Sequence, residues 1–439
     1  MRMSNRKVLR RKVFQIKFET LSPLSIASGD DEWTDDDILR SWDGSPFVPG
    51  SSIAGAMRSY LKKDKNENCL MGYSSENDLG KMSSVYVSDA QFEDNVSLGI
   101  RDGVSLNLNK TAITGSKYDM EILEHGIRGV FYIEVVDREN DDVNEVSKGD
   151  DLKKIFNGFE MGEIRLGQKK TRGFGEIRLE SIKCREFNHD NYLDYSKAYD
   201  PKCWDTLENE KLKWCNPTTD EQEKIHIEVP LKLRGGISIR QYAAIKGQPD
   251  FAHITDNGVP IIPGSSMAGA IRHRVHDLLG QINQLVKEID DNKSIEIEQK
   301  IDSMFGYVGK EKAHKSSIVI NETKILGANQ LTMTRTGVSR FESAVKQGAL
   351  YKELTFVNGT LTLKMSVDQD GDSNWILGLL ILALKDLQNG YLAVGGETAI
   401  GRGVFEENGP MLIDGEIGQE NEYITDLLAN ITSSEGGRA

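Results

Sequence analysis

The chain has few cysteines and no long hydrophobic run. Four cysteines in 439 residues are too few for a disulfide-rich extracellular scaffold. The longest apolar run, from Trp375 to Leu384, is about half of the ~20 residues that cross a bilayer, so it predicts a buried helix. No segment resembles a secretory signal. We therefore expect a cytoplasmic protein with reduced thiols and no membrane partner.

Sequence patterns of several enzyme and metal-binding classes are also missing. Neither glycine-rich loop of the chain matches G-x-x-x-x-G-K-[ST] or a strand-led G-x-G-x-x-G, which argues against a nucleotide-binding enzyme. His273 and His276 share a helix face, but phosphate contact or solvent exposure explains them better than a metal. A possible Cys₃His group lacks close Cys-x-x-Cys spacing, so structural zinc is the less favoured interpretation. Its members are Cys184, His189, Cys203 and Cys215.

Positive charge is scarce overall, and its distribution decides what that means. The net charge of −14 at first argues against a nucleic-acid partner. Much of the acidity lies in two segments, 190–224 and 406–439, whereas the first twelve residues are rich in lysine and arginine. A polyanionic partner therefore remains compatible with the composition.

What the chain does have is one unusual pattern, written twice. Residues 47–58 read FVPGSSIAGAMR and residues 261–272 read IIPGSSMAGAIR. Each copy continues into a β-rich run and closes on a glycine-rich loop, GQKKTRGFG at 167–175 and GGETAIGRG at 395–403. The match is too long for chance, so we interpret the chain as an internal duplication of one domain.

Hydrophobic periodicity gives both halves the same order of elements, strand, helix, strand, strand, helix, strand. In the second half it predicts strands at 225–233 and 361–367 and a helix from Ser265 to about Leu279. This is the split βαβ order of an α+β fold, with an antiparallel sheet and helices on one face. We therefore predict two tandem ferredoxin-like (RRM-like, βαββαβ) domains with insertions. The predicted boundaries are 1–186 for the first domain, 187–224 for an acidic linker, 225–408 for the second domain and 409–439 for an acidic tail.

The repeated Pro-Gly-Ser-Ser marks the start of a helix. Serine caps free backbone amides there, and glycine allows the tight turn. The same amides, with the helix dipole, form a site that suits phosphate. An ordinary capped helix is the simpler explanation for one copy, but the recurrence of the whole pattern favours phosphate binding.

These motifs resemble the RAMP superfamily of CRISPR-associated proteins, in particular the backbone subunits of type III effector complexes. The resemblance covers about 13–183 and 225–405. It implies a fused double subunit that binds guide CRISPR RNA, contacts other subunits of the complex and cleaves complementary target RNA. It also implies that 103–125 and 337–351 are the hairpins called thumbs, which cross the guide–target duplex.

Carried over to this chain, the resemblance implies a set of RNA-binding residues. They are Ser51, Ser52, Arg58, Lys110, Lys117, Lys169, Lys170, Arg172, Ser265, Ser266, Arg272, Arg340 and Arg402. The second glycine-rich loop departs from the family pattern, because Ile400 stands where the first loop has Arg172.

Cleavage in this family resembles metal-assisted attack by the ribose 2′-hydroxyl, with an aspartate before Pro-Gly-Ser-Ser near the scissile phosphate. Asp36 and Asp250 each lie thirteen residues before the motif proline, so we expect both to be catalytic and to hold Mg²⁺ or another divalent ion. Asp35 and Asp37 are close competitors, and acidic loop residues are often merely solvated.

Two other functions stay open at this point. One is a non-catalytic RNA-binding scaffold with the same contacts. The other is an endoribonuclease that processes guide precursors, which would need a histidine near a glycine-rich loop; neither loop contains one.

Overall fold

The chain folds into two compact units. The computed structural model describes residues 7–29, 33–61, 70–72, 82–93, 96–139, 145–217, 224–242, 249–289, 294–309, 312–369 and 373–433. Unit 1 comprises 1–104, 114–170 and 174–222, and unit 2 comprises 105–113, 171–173 and 223–439. Two short segments of the first half of the sequence thus group with unit 2.

Unit 1 contains one main sheet, one two-stranded ribbon and three α-helices among its described residues. The elements are β1 (Val8–Thr20), β2 (Phe47–Val48), α1 (Gly50–Leu61), β3 (Val85–Val87), β4 (Ala90–Phe92), β5 (Leu98–Gly103), β6 (Tyr118–Leu123), β7 (Arg128–Arg138), α2 (Glu145–Glu160), β8 (Ile177–Phe187) and α3 (Lys211–Trp214).

The sheet of unit 1 has the strand order β8-β1-β7-β4-β2, with β3 also beside β7, and its pairings are antiparallel. The outer strand β8 therefore flanks β1, as the last strand does in a ferredoxin-like domain. Alternate residues of β1, Phe14, Ile16 and Phe18, are fully buried in one core with Ile53 of α1 and Phe156 of α2. The helices therefore cover one face of the sheet.

The other face of this sheet is covered by the segment that follows β8. Trp204 is buried with Val13 and Phe187, and its indole Nε1 donates to the Ala198 carbonyl at 3.0 Å. On β7, Glu134 accepts hydrogen bonds from the hydroxyls of Tyr195 and Tyr199, both at 2.7 Å. The acidic segment after β8 is thus packed on the domain.

Unit 2 repeats the plan with larger additions. Its elements are β9 (Lys224–Arg234), β10 (Gly236–Ile237), β11 (Arg240–Tyr242), β12 (Phe251–His253), β13 (Thr255–Asp256), β14 (Val259–Ile262), α4 (Gly264–Ile289), α5 (Ile297–Phe305), β15 (Tyr307–Val308), β16 (Ala313–His314), β17 (Ile318–Ile320), β18 (Thr323–Lys324), β19 (Asn329–Val338), β20 (Val345–Val357), β21 (Thr360–Asp368), α6 (Ser373–Gln388), β22 (Val404–Glu407), β23 (Leu412–Ile413) and α7 (Glu420–Ser433).

The main sheet of unit 2 has the order β17-β21-β9-β22, with β23 also on β9, which is the same topology as in unit 1. Every second residue of β9 from Ile225 to Leu233 is buried, as the period of a strand requires. Helix α6 is buried along most of its length, and α7 packs on it through Leu427. Gly378 permits this contact, because a Cβ there would lie 2.3 Å from the Tyr423 carbonyl oxygen.

The structure confirms the α+β class and the ferredoxin-like order. The run from Trp375 to Leu384 lies in α6, as expected, and most of its side chains are buried. Among the described residues, no helix combines the length and the apolar character needed to span a membrane.

Candidate RNA-binding and cleavage sites

Helix α1 begins directly after Pro49, but its first amides are not open. The Gly50 amide donates to Asp89 Oδ1 at 2.7 Å, and the Ser52 and Ile53 amides donate to the Pro49 carbonyl at 2.9 and 3.2 Å. The carboxylate already complements the helix dipole. The Gly50 amide is therefore bonded to a carboxylate within the fold, and a phosphate at this helix start stays a prediction.

The same turn is present at the second motif. The Ser266 and Met267 amides donate to the Pro263 carbonyl at 3.0 and 3.1 Å. Ser51 and Ser265 are exposed, whereas Ser52 and Ser266 are partly buried. The serine hydroxyls thus remain candidate RNA contacts in both units.

A cavity in unit 1 joins α1 to the first glycine-rich loop. It has a volume of about 350 Å³. Its lining combines one face of α1, the loop and the chain after β1: Ile26, Ala27, Ser52, Gly55, Ala56, Ser59, Gly167, Gln168 and Lys170. Small side chains on the helix leave the space open, and serine hydroxyls and a lysine supply polar groups. The structure therefore brings the two predicted motifs together in one concave site.

The two glycine-rich loops share one backbone design. In unit 1 the Leu166 amide donates to the Gly175 carbonyl, and in unit 2 the Val394 amide donates to the Gly403 carbonyl, both at 2.9 Å. Gly167 and Gly395 both have positive φ, and a Cβ at Gly167 would lie 2.2 Å from the Ser25 carbonyl oxygen. Each loop continues into a short 3₁₀ helix, 170–172 and 398–400.

The charges of the loops differ. Lys169 and Glu397 occupy the same left-handed position, with φ of 55° and 59°. Lys169 Nζ donates to the Tyr118 hydroxyl at 3.0 Å and lies 4.5 Å from the centre of that ring, and Lys170 is exposed beside the cavity. The first loop therefore presents cations at a site that could take phosphate.

The second loop is neutralised within unit 2. Glu397 lies 2.6 Å from Arg240, 3.4 Å from Arg335 and 3.7 Å from Arg402. Arg402 is buried and also donates to Thr355 Oγ1 at 3.3 Å. The structure thus places Arg402, an expected RNA ligand, inside an ion-pair network.

The motif arginines have partners within the fold. Arg58 donates to the carbonyls of Met71 and Gly72 at 2.8 and 3.2 Å, a contact that fixes the chain after α1. Arg272 is exposed and lies 3.8 Å from Asp302. Of this pair, Arg272 is the one that the geometry leaves available to a ligand.

The expected thumbs are hairpins. Strands β5 and β6 pair from Leu98↔Leu123 to Gly103↔Tyr118, and β19 pairs with β20. Lys110, Lys117 and Arg340 are exposed on the turns that follow these strands. Lys110 and Arg172 belong to the segments that group with unit 2.

The three consecutive aspartates of unit 1 have different partners. Asp37 is buried, and its carboxylate accepts from the Trp33 and Thr34 amides at 3.0 and 2.9 Å. Asp36 Oδ2 accepts from the Gln168 side chain in the glycine-rich loop. Asp37 therefore stabilises the turn at 33–37, whereas Asp36 connects this turn to Gln168, which lines the cavity.

Asp35 contacts the base of the first thumb. The Asp119 amide donates to Asp35 Oδ2, and the Asp35 amide donates to Asp119 Oδ1, both at 2.9 Å. In unit 2 the Lys352 amide donates to Asp250 Oδ2 at 2.7 Å. Asp119 and Lys352 each follow a tyrosine at the base of a thumb, so these bonds pair Asp250 with Asp35 rather than with Asp36. The distance to proline predicts Asp36 as the counterpart of Asp250, whereas these hydrogen bonds favour Asp35.

No ready-made metal centre accompanies these carboxylates. The described ranges contain no group of three or more histidine, cysteine, aspartate or glutamate side chains that could hold a metal ion. Mg²⁺ is commonly bound by one or two carboxylates together with substrate phosphates. Asp35 and Asp119 bring two carboxylates to the thumb base of unit 1, and Asp250 brings one to that of unit 2.

The four possible zinc ligands are all described, and they form no such group either. Cys215 is buried and its Sγ donates to the Phe156 carbonyl at 3.5 Å. Burial raises the pKa of Cys184 to about 12, which disfavours the thiolate that zinc needs. His189 is exposed.

Sequence reasoning missed three residues of these sites. Asp89, Gln168 and Asp119 contact the helix start, Asp36 and Asp35 respectively. Gln168 had a signal, since it directly follows the first glycine of the loop. Asp89 and Asp119 are brought in from distant strands and had none.

Comparison with known proteins defines the class. Residues 17–178 and 230–406 both match the RAMP superfamily, and these two regions coincide with the two halves of the fold. The chain therefore belongs to the RAMP superfamily, and it carries the domain in two tandem copies. This confirms the resemblance to a RAMP backbone subunit.

A curated relative gives a more particular likeness. The CRISPR system Cms endoribonuclease Csm3 of Streptococcus thermophilus is 31% identical over 158 residues, which cover 31% of this chain and 70% of that protein.

Proposed function

We propose that this chain is a fused double backbone subunit of a type III CRISPR effector complex, which holds guide RNA and cleaves complementary target RNA. Membership of the RAMP superfamily and the likeness to a CRISPR endoribonuclease support the class of function. The observation that carries the proposal of cleavage is the repeated bond between an aspartate and the backbone at the base of a thumb, Asp35 in unit 1 and Asp250 in unit 2.

Guide RNA binding in unit 1 is assigned to the cavity between α1 and the first glycine-rich loop. Ser52 and Ser59 offer hydroxyls and Lys170 offers positive charge in its lining, and Lys169 is exposed on the same loop. In unit 2 the corresponding loop is neutralised, so Ser265 and Arg272 on α4 are the candidate contacts.

Cleavage would use the RNA's own nucleophile. The ribose 2′-oxygen forms a bond to the adjacent phosphorus and the bond from phosphorus to the 5′-oxygen breaks. The proton of the 2′-hydroxyl passes to water, and the leaving 5′-oxygen takes a proton from water. The products are a 2′,3′-cyclic phosphate and a 5′-hydroxyl. Asp35 and Asp250 would hold a divalent ion, which would offset charge on the phosphate.

The test is cleavage of end-labelled target RNA by the assembled, guide-loaded complex in Mg²⁺. The wild type should cut at two positions with a fixed separation. Asp35→Ala should abolish one cut and Asp250→Ala the other, while the matched control Asp43→Ala, an exposed acid in the same loop bonded to Ser45, should keep both.

The outcomes separate the alternatives. Loss of a cut in Asp36→Ala but not in Asp35→Ala would return the role to Asp36. Unchanged cutting in the Asp35→Ala, Asp250→Ala double variant would show that other residues cleave the RNA. A wild-type complex that binds target RNA but never cuts it would support the non-catalytic RNA-binding scaffold.

A further inference from the structure

Two tryptophans of unit 1 are almost fully exposed. The chain has five tryptophans; Trp204, Trp214 and Trp375 are buried, whereas Trp33 and Trp42 expose 82% and 96% of their surface. Tryptophan is a costly residue to leave in water, and single exposed residues need no explanation unless their position provides one.

The position of Trp33 does provide one. Its amide donates to Asp37 Oδ2 at 3.0 Å, which fixes the backbone under the ring. Two residues later, Asp35 bonds to Asp119, and the residue before Asp119 on that strand, Tyr118, accepts a hydrogen bond from Lys169. Trp33 thus belongs to a loop that is tied, through the thumb base, to a cation of the glycine-rich loop.

Aromatic rings beside a cation are the usual means of binding single-stranded RNA, because every base has a face that can stack and every nucleotide has a phosphate. We propose that Trp33 stacks on a base of the target RNA next to the phosphate cleaved by unit 1. It is a positioning residue, and its role rests on the proposed cleavage function.

Unit 2 provides an internal control. Its sequence has no tryptophan between Trp214 and Trp375, and the ring beside Asp250, Phe251, already packs edge-on against Tyr351 with 5.9 Å between the ring centres. Removal of Trp33 should therefore affect only the cut made by unit 1. Trp42 is a second control, since it is the same residue type, even more exposed, and lies on the turn at 41–45, which bonds to itself through Ser41 and Ser45.

The contact between Trp33 and the target RNA can be detected without cleavage. Target RNA with 5-iodouridine at single positions around the first cut is bound to the assembled Asp35→Ala complex and irradiated, and crosslinked peptides are identified by mass spectrometry. We expect a crosslink to Trp33 from one position next to the cut, and none after Trp33→Ala.

Kinetics provide the second measurement. Trp33→Ala should slow the first cut about tenfold, the effect of losing one stacked base, and leave the second cut unchanged. Trp33→Phe should restore most of the rate, and Trp42→Ala should change neither cut.

Equal effects of Trp33→Ala and Trp42→Ala, or equal slowing of both cuts, would overturn the assignment. A crosslink to Trp33 from iodouridine in the guide alone would overturn it as well. The underlying function is judged separately: if Asp35→Ala leaves the first cut intact, the proposed cleavage site fails, whereas loss of that cut with a normal Trp33→Ala variant refutes only the stacking.

Discussion

At the scale of single residues, the two candidate cleavage sites are not identical. Asp35 lies beside a second carboxylate, Asp119, whereas the position after the tyrosine in unit 2 is Lys352. A carboxylate favours a divalent ion and a lysine repels one. The two sites should therefore differ in how much Mg²⁺ they need.

The prediction is that the unit 1 cut reaches half its maximal rate at lower Mg²⁺ than the unit 2 cut. Asp119→Asn keeps an acceptor for the Asp35 amide but removes the charge, and should raise the Mg²⁺ needed by the first cut roughly tenfold. Lys352→Asp should lower the Mg²⁺ concentration at which the second cut reaches half its maximal rate. Identical Mg²⁺ curves for both cuts in every variant would contradict this account.

His253 makes unit 2 sensitive to acid. Its Nδ1 accepts from the Ile239 amide at 3.0 Å, so its proton lies on Nε2, which donates to the Ile261 carbonyl. Burial lowers the pKa of His253 from 6.5 to about 4. The neutral ring thus stabilises the fold above pH 6.5, and this stabilisation is lost as the pH falls toward 4.

Between pH 7 and pH 5 this loss should amount to about 2 kcal/mol of unfolding free energy. His253→Gln can keep both hydrogen bonds without titrating, so its loss over the same range should be smaller by that amount. Urea denaturation at the two pH values measures it. Equal losses in wild type and variant would show that His253 is not the group responsible.

Residue-level roles were the least predictable part of the chain. The spacing to proline pairs Asp36 with Asp250. The hydrogen bonds from the Asp119 and Lys352 amides instead pair Asp35 with Asp250, and the sequence does not show these bonds. Likewise, the sequence predicts a phosphate at the start of α1. It does not reveal that Asp89, between β3 and β4, accepts a hydrogen bond from the Gly50 amide there.

At the scale of elements, the two glycine-rich loops have the same backbone conformation but different charges. Lys169 and Lys170 in unit 1 correspond to Glu397 and Thr398 in unit 2. A lysine that contacts phosphate releases counterions, and its effect depends on salt.

Lys170→Ala should therefore weaken guide retention and reduce the slope of log affinity against log salt by about 0.7, the value for one phosphate contact on a single strand. Thr398→Ala, the matched position in unit 2, should leave the slope unchanged. Filter binding of labelled guide over a salt series gives both values, and equal slopes for Lys170→Ala and wild type would remove Lys170 from the interface.

The segment after β8 covers the sheet of unit 1 through Trp204. Trp204→Ala would leave a large cavity against Val13 and Phe187 and should cost about 3–5 kcal/mol of stability. Exposed Trp42→Ala should change stability by less than about 0.5 kcal/mol. Thermal unfolding of the two variants tests this, and similar melting temperatures would show that the segment is only loosely attached.

Elements with strong periodicity were predicted well. The alternation of apolar and polar residues in 225–233 and 361–367 predicts β9 and β21 to within one residue at each end, because one face of each strand is buried. The predicted helix at 265–279 was too short, because α4 continues to Ile289. Helices α5 and α7 were missed, since they lie in segments interpreted as an insertion and an acidic tail.

At the scale of the whole molecule, the proposed function assigns binding and cleavage to different residues. The cavity and the first glycine-rich loop are built by α1 and the chain before β8, whereas the aspartates lie at the thumb bases. The Asp35→Ala, Asp250→Ala double variant should therefore assemble and protect guide RNA from added nuclease as well as the wild type does.

Nuclease footprinting of the purified assembly measures that protection. Protection lost together with cleavage would mean that the aspartates hold the RNA rather than act on the phosphate. Absence of any bound guide in the wild-type assembly would contradict the proposed function as a whole.

The exchange of Lys169 for Glu397 at matching loop positions has a further meaning. When a filament is built from repeated copies of one gene product, every substitution appears at every position along it. Here the copies are covalently joined in a fixed order, so each can diverge alone. One half carries a basic loop and the other holds three arginines in ion pairs with Glu397, a difference that identical protomers could not have.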